Sequence, residues 1–298
     1  MNEDVKELFL NRKCVIATMH KKEKVIAPIL ERELALKAVV PESFNSDSFG
    51  TFTKEVKRAG DQLEAARKKA VAAMKQTGLD IGIASEGSFG AHPVFSHVPY
   101  NRELIVCIDQ KQGFEIIGYA ANSNTNAAQK EIASFKEAEE FAKSAGFPEH
   151  GLIVKRSTDS RKSKDIIKGI TSTEQLKIAV DSLYRPTNTS FGFWKKTSKL
   201  LSIETDMRAM YNPTRMKNIE LAAKDLVSKI TSLCPSCSAP GFEVTEHKKG
   251  LPCAGCGFPT ESLLAHVYSC KKCSYKHEVQ CPKGKEYEDP LRCHVCNP

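Results

Sequence analysis

Eight cysteines near the end of the chain stand in four Cys-x-x-Cys pairs: Cys234/Cys237, Cys253/Cys256, Cys270/Cys273 and Cys293/Cys296. Two thiolates three positions apart sit on one tight turn and fill one edge of a tetrahedron. A second such turn fills the opposite edge, and a Zn²⁺ ion takes the four sulfurs. The first two pairs are separated by 15 residues and the last two by 19, which fits the spacing of zinc ribbons. Pro235, Gly255, Gly257 and Pro259 lie in or beside the pairs, where the chain must reverse. Sequential pairing makes two stacked ribbons. An interleaved arrangement joins the middle pairs together and the outer pairs together. Both remain open from the sequence. Cys281 and His294 read as spectators. All-sulfur sites are closed, so the two expected Zn²⁺ ions are structural.

A second kind of chemistry is written into three polar stretches. Thr18 opens the stretch Met19-His20-Lys21-Lys22-Glu23-Lys24. The second is Ser85-Glu86-Gly87-Ser88-Phe89-Gly90-Ala91-His92-Pro93. The third runs from Glu204-Thr205-Asp206-Met207-Arg208 to Asn212-Pro213-Thr214-Arg215. Together they bring carboxylates (Glu86, Glu204, Asp206), cations (Lys22, Lys24, Arg208, Arg215) and glycine-rich backbone. That mixture suits a phosphorylated substrate and a divalent ion held by oxygen ligands, namely Mg²⁺. Each stretch has a plainer reading. Glu86-Gly87 reads equally as a turn, Asp206 with Arg208 as a structural ion pair, and Asn212-Pro213-Thr214 as a helix start.

The elements that must position these residues alternate in type. Apolar runs predict strands at Cys14–Thr18, Lys37–Pro41, Asp80–Ala84, Leu104–Ile108, Glu115–Tyr119, Leu152–Val154 and Leu200–Thr205. Helical spacing predicts helices at Lys21–Leu36, Asp61–Thr77, Ser134–Ala145, Thr173–Leu183 and Thr214–Ile230, two of them stopped by Gly78 and Gly146. The pattern implies an α/β fold with a mixed or mostly parallel sheet and helices on both faces, over residues 1–230. A small double zinc-ribbon domain over 231–298 follows, too poor in large apolar side chains to fold without metal. In such sheets the sites lie on loops beyond the carboxyl ends of strands, so the three stretches are expected to be loops that converge. Cys14 and Cys107 read as buried core thiols.

The strings FGTFT (49–53), ASEGSFGAHP (84–93), NREL (101–104), ETDMRA (204–209) and NPTRM (212–216), with the cysteine-paired tail, resemble a family of uncharacterised bacterial proteins over nearly the whole chain. The first half also resembles the inosine triphosphate pyrophosphatase group with its Maf-like relatives. Those proteins follow their first strand with a Thr-x-Asn-x-x-Lys loop. Here Thr18-Met19-His20-Lys21-Lys22-Glu23-Lys24 stands there, with His20 in place of the Asn. Their Glu-Asn-Ala-x-x-Lys-Ala helix has Glu64-Ala65-Ala66-Arg67-Lys68-Lys69-Ala70 as counterpart, again without the Asn. Ala84-Ser85-Glu86-Gly87 supplies one carboxylate where many members have two, and Pro213-Thr214-Arg215 loosely matches a late helix start. The resemblance implies hydrolysis of a nucleotide or other phosphorylated compound. Glu86 and Asp206 would hold Mg²⁺. Lys22 or Lys24, with Lys69, Arg208 and Arg215, would neutralise phosphate charge. Ser85, Gly87 and Ser88 would shape the cradle, and His92 would assist proton transfer.

Charge points to a different class of partner. Residues 155–199 hold eleven Lys and Arg against four Asp and Glu, while residues 231–298 hold eight against seven. The excess therefore sits in one polar insert, where Lys195, Lys196 and Lys199 interleave with Phe191, Phe193 and Trp194. Such mixing suits single-stranded nucleic acid, so the alternative function is a zinc-ribbon RNA- or DNA-binding protein without catalysis. Ribbons also dock protein partners. The charged N-terminus lacks a secretory apolar segment and no apolar run is long enough for a membrane span, so a cytoplasmic protein with reduced thiols is expected.

Overall fold

The computed structural model describes residues 3–45, 61–184 and 200–298. The FGTFT string and the aromatic, lysine-rich part of the basic insert lie outside the described residues. The chain forms two compact units, Phe9–Leu226 and Met1–Leu8 with Val227–Pro298.

The larger unit contains two sheets where the sequence pattern implied one. The first has strand order β2-β1-β3-β4-β5, built from β1 (Lys13–Ala17), β2 (Lys37–Val39), β3 (Ile81–Ala91), β4 (Pro99–Asp109) and β5 (Phe114–Asn122). β2 and β3 both run parallel to β1, and β4 and β5 are antiparallel hairpin additions, so the sheet is mixed. Helix α1 (Glu3–Phe9) precedes β1 in the chain, helix α2 (Glu23–Leu34) connects β1 to β2 and helix α3 (Gln62–Thr77) leads into β3. β1 therefore lies at a switch point: the chain leaves it toward β2 on one side and returns as β3 on the other.

Helix α3 begins where the Asp61 carboxylate accepts from Glu64 N and ends on left-handed Gly78. Its alanine face (Ala66, Ala70, Ala73) and Met74 pack against Val15, Ala17, Ala84, Leu104 and Val106. Helix α6 (Pro213–Thr231) covers the other face. It approaches so closely that a Cβ at Gly118 of β5 would lie 2.6 Å from Leu226 N.

The second sheet, order β6-β9-β7-β8, is antiparallel throughout and comprises β6 (Gln129–Ile132), β7 (Leu152–Lys155), β8 (Ile166–Ile170) and β9 (Leu201–Thr205). One face carries helices α4 (Phe135–Ala145) and α5 (Thr173–Tyr184) over a core of Ile132, Leu152, Val154, Leu201 and Ile203.

In the smaller unit, β10 (Glu243–Lys249), β11 (Leu263–Ser269) and β12 (Lys276–Gln280) form an antiparallel meander. The four cysteine pairs fall between and beyond these strands. Among the described residues, no helix is long and apolar enough to cross a membrane.

Candidate functional site

The cysteine pairs meet in a crossed pattern. Cys234, Cys237, Cys270 and Cys273 form one quartet, and Cys253, Cys256, Cys293 and Cys296 form the other, with the sulfurs of each quartet within 4.8 Å of one another. Neither sequential nor nested pairing holds: the first pair joins the third and the second joins the fourth. The meander dictates this. The first pair precedes β10 and the third follows β11, so both lie at one end of the sheet. The second pair sits in the β10–β11 connection and the fourth follows β12, at the opposite end. The bridge between Cys253 and Glu288 ties the second pair to the chain beyond β12.

The quartets fit a tetrahedral ion. Four sulfurs about 2.3 Å from a zinc lie about 3.8 Å apart. The observed separations are 3.7 Å for Cys234–Cys273, 3.7 Å for Cys237–Cys270, 3.8 Å for Cys253–Cys296 and 3.7 Å for Cys256–Cys293. Backbone N–H groups of Gly255 and Lys272 donate to Cys253 Sγ at 3.3 Å and Cys270 Sγ at 3.4 Å, which orients the ligands. Each turn closes with an N–H of the fourth residue on: Ser238 to Cys234 O, Gly257 to Cys253 O, Ser274 to Cys270 O and Asn297 to Cys293 O. Ser238, Gly257 and Ser274 are left-handed, at φ 53°, 72° and 58°. Cys281 and His294 stand outside both quartets.

In the larger unit the three polar stretches meet only in part. The second is not a loop. β3 continues to Ala91, so Ser85, Glu86, Gly87 and Ser88 lie within a strand paired to β4. Alternation sends Glu86 and Ser88 to the α3 face and Ser85 and Gly87 to the α6 face. β1 ends at Ala17, paired with Ala84, so Ser85 is the first β3 residue beyond the end of β1. There Lys22 Nζ donates to Ser85 O at 2.9 Å. Lys22 is 7% exposed at the start of α2, and that carbonyl is the single hydrogen-bond partner of its Nζ among the described residues. Lys24, two positions on, is exposed. Thr18 is buried and accepts from His20 N at 3.2 Å.

Around Lys22 the charges are paired with one another. Lys69 of α3 donates to Glu86 Oε1 in a buried ion pair. Arg215, on the first turn of α6, is 1% exposed, and its Nε donates to Glu103 Oε1 at 2.8 Å and its Nη1 to Met207 O at 2.5 Å. The expected helix start is real and serves this placement: Asn212 Oδ1 accepts from Arg215 N at 2.9 Å, with Pro213 in the first turn. Glu103, fully buried, is the member of the cluster that the sequence did not single out. It lies in NREL, opposite Gly87 in the β3–β4 register, and Asn101 Nδ2 supports it at 3.2 Å. A Cβ on Gly87 would lie 2.5 Å from Arg215 Nη2, so only glycine leaves room for the pair. Burial pushes the Lys22 ammonium down to about 7; Arg215 and Lys69 push the same way, while Glu86 and Glu103 oppose them.

The remaining expected residues are engaged elsewhere. Asp206 is fully buried and receives Arg208 Nη2 at 2.6 Å and Gly169 N at 3.1 Å, so the plainer reading as an ion pair is the one the structure bears. Glu204 pairs with Lys155 at 2.7 Å, and Arg156 with Asp165 at 2.9 Å, which neutralises part of the basic insert. His92 lies at the tip of the β3–β4 hairpin, six residues or about 20 Å along the strand from Glu86. Its Nδ1 accepts from Val94 N and Phe95 N, and its ring contacts Phe95 and Tyr100: it shapes the turn. Ser88 Oγ donates to Gln62 Oε1 at 3.3 Å. Glu86 and Asp206 therefore each hold a cation of the chain, and among the described residues only the cysteine quartets gather three or more metal-ligating side chains. Each of the two expected Mg²⁺ ligands is thus committed to an ion pair.

Comparison with curated proteins and with solved structures finds no match. A family model, the domain of unknown function DUF6671, matches residues 69–298, from Lys69 through Glu103 and Arg215 to both cysteine quartets. The chain belongs to the DUF6671 family.

Proposed function

We propose that the larger unit binds, and hydrolyses, a nucleotide or other phosphorylated small molecule at the carboxyl end of β1, and that two structural Zn²⁺ ions fold the smaller unit. The observation that carries the reading is the position of Lys22. In parallel α/β sheets ligands bind outside the carboxyl ends of strands at a switch point. Lys22 stands there, at the start of the helix that follows β1, with a buried amine that holds one backbone carbonyl. Lys69 and Arg215 flank it. With Lys22 protonated, three cations face the carboxylates of Glu86 and Glu103, so an entering phosphate meets a net positive charge. Because both carboxylates are paired, Mg²⁺ enters this reading with the nucleotide's own phosphates.

Calorimetric titration with inorganic phosphate, pyrophosphate and a panel of nucleoside triphosphates with Mg²⁺, together with phosphate release, tests both halves. Wild type should bind at least one member, and Lys22→Met should weaken that binding about tenfold or more, the worth of one charge-assisted hydrogen bond. Wild type indifferent to the whole panel removes the phosphate reading. Equal trace release by wild type and Glu86→Gln removes hydrolysis and leaves binding.

A further inference from the structure

The meander carries a second set of metal-type ligands. Along β11, Ala265 and Val267 are 0% and 5% exposed and face inward, so His266 and Tyr268 face the other way. His247 of β10 is the residue directly opposite His266, and their rings lie 4.8 Å apart at 73°. On the far side, β12 places Val279 opposite His266 and His277 opposite Tyr268, so His277 shares the face one diagonal step away. His247 and His277 are exposed and His266 is half-buried. Glu246 and Glu278 are both opposite Val267 and belong to the other face. The donors offered here are thus imidazole nitrogens without a carboxylate.

We propose that this face is a third metal site, open and exchangeable, that takes a borderline divalent ion of the zinc and nickel type. Imidazole suits such ions, whereas Mg²⁺ and Ca²⁺ require oxygen. His247 and His266 are the two ligands in place. An exposed side chain turns between rotamers at little cost, which brings His277 in as a third, and water fills the remaining positions. The site differs from the quartets in kind. Its ligands are solvent-facing imidazoles rather than thiolates, so its ion is held far more weakly. It rests on none of the residues of the phosphate reading.

The test uses the full chain with both quartets loaded. Dialysis against micromolar free Zn²⁺ followed by metal analysis should show one equivalent beyond the two that the quartets hold. His247→Ala and His266→Ala should each lose that equivalent and keep the other two. His247 is exposed and His266 half-buried, and neither is a ligand of a quartet, so both variants keep all eight sulfurs. Titration with Ni²⁺ should broaden the ring resonances of His247, His266 and His277 before those of the other histidines. A wild type that stays at two equivalents, or a double variant that keeps the extra one, overturns the site, as does Ni²⁺ broadening spread evenly over all histidines.

Discussion

Lys22 sets the sharpest test at the level of single residues. Its folded pKa of about 7 lies below the ordinary 10.5. Between about pH 7 and 10.5 the unfolded chain therefore carries a proton that the folded chain has lost. Stability must rise with pH across that window, by up to about 1.4 kcal/mol per unit. Below about pH 7 both states are protonated, and the cost of burying the charge is present in full. Lys22→Met should remove that rise and raise the unfolding midpoint of the larger unit at neutral pH; denaturant titrations at neutral pH and at about pH 9.5 decide, and an unchanged slope would show the amine is not buried as charged. Gly87 is the second test. A methyl there overlaps the Glu103 and Arg215 side chains, which are 0% exposed and cannot yield to solvent. Gly87→Ala should cost about 1–3 kcal/mol as an overpacked site. A neutral outcome in thermal unfolding would mean the pair is loosely held.

At the scale of elements, the sequence read well where the signal is local. Asp61 and Gly78 bound α3, Ser134 and Gly146 bound α4, and the gap between Asp109 and Phe114 closes the β4–β5 hairpin, all from residues within a turn of one another. It misread Ser85–Ala91 as a loop because glycines and charges there look like turn chemistry. In space Gly87 is a strand residue made small by an ion pair from another element, and Glu86 is a strand carboxylate balanced by a helix lysine. Glu103 was missed for the same reason: its partner Arg215 is 112 residues away, and nothing in NREL marks it. Gly118 is similar. It stands inside the expected strand Glu115–Tyr119, yet α6 lies against it, with Leu226 N 2.6 Å from where a Cβ would stand. Gly118→Ala must push the helix off the sheet. We expect about 1–3 kcal/mol of lost stability and a smaller loss in Gly90→Ala, where a Cβ meets nothing within 4 Å. Equal effects of the two would refute the close approach.

For the molecule as a whole, the crossed quartets matter more than their number. The cysteine spacing revealed each turn, since three residues settle a turn, but which turns meet depends on the meander that β10, β11 and β12 make. Two stacked ribbons would be separate structures, each closed by its own ion. In the observed order every strand of the meander runs from one quartet toward the other, so each quartet holds one end of the same small sheet. A three-stranded sheet of this length has little independent stability, and metal bound at the quartets would supply its folding free energy. Losing one end must therefore weaken the other. Cys273→Ser opens the quartet with Cys234, Cys237 and Cys270 and touches no ligand of the second quartet. Zinc should nevertheless leave the intact quartet about tenfold faster or more under a competing chelator, a change of about 1.4 kcal/mol in its hold. Cys296→Ser should do the same to the first quartet. The larger unit, with its own cores around α3 and around α4 and α5, should keep its helical signal throughout. Release from the intact quartet at the wild-type rate in both variants would mean that the two ions act independently and that the shared meander does not couple them.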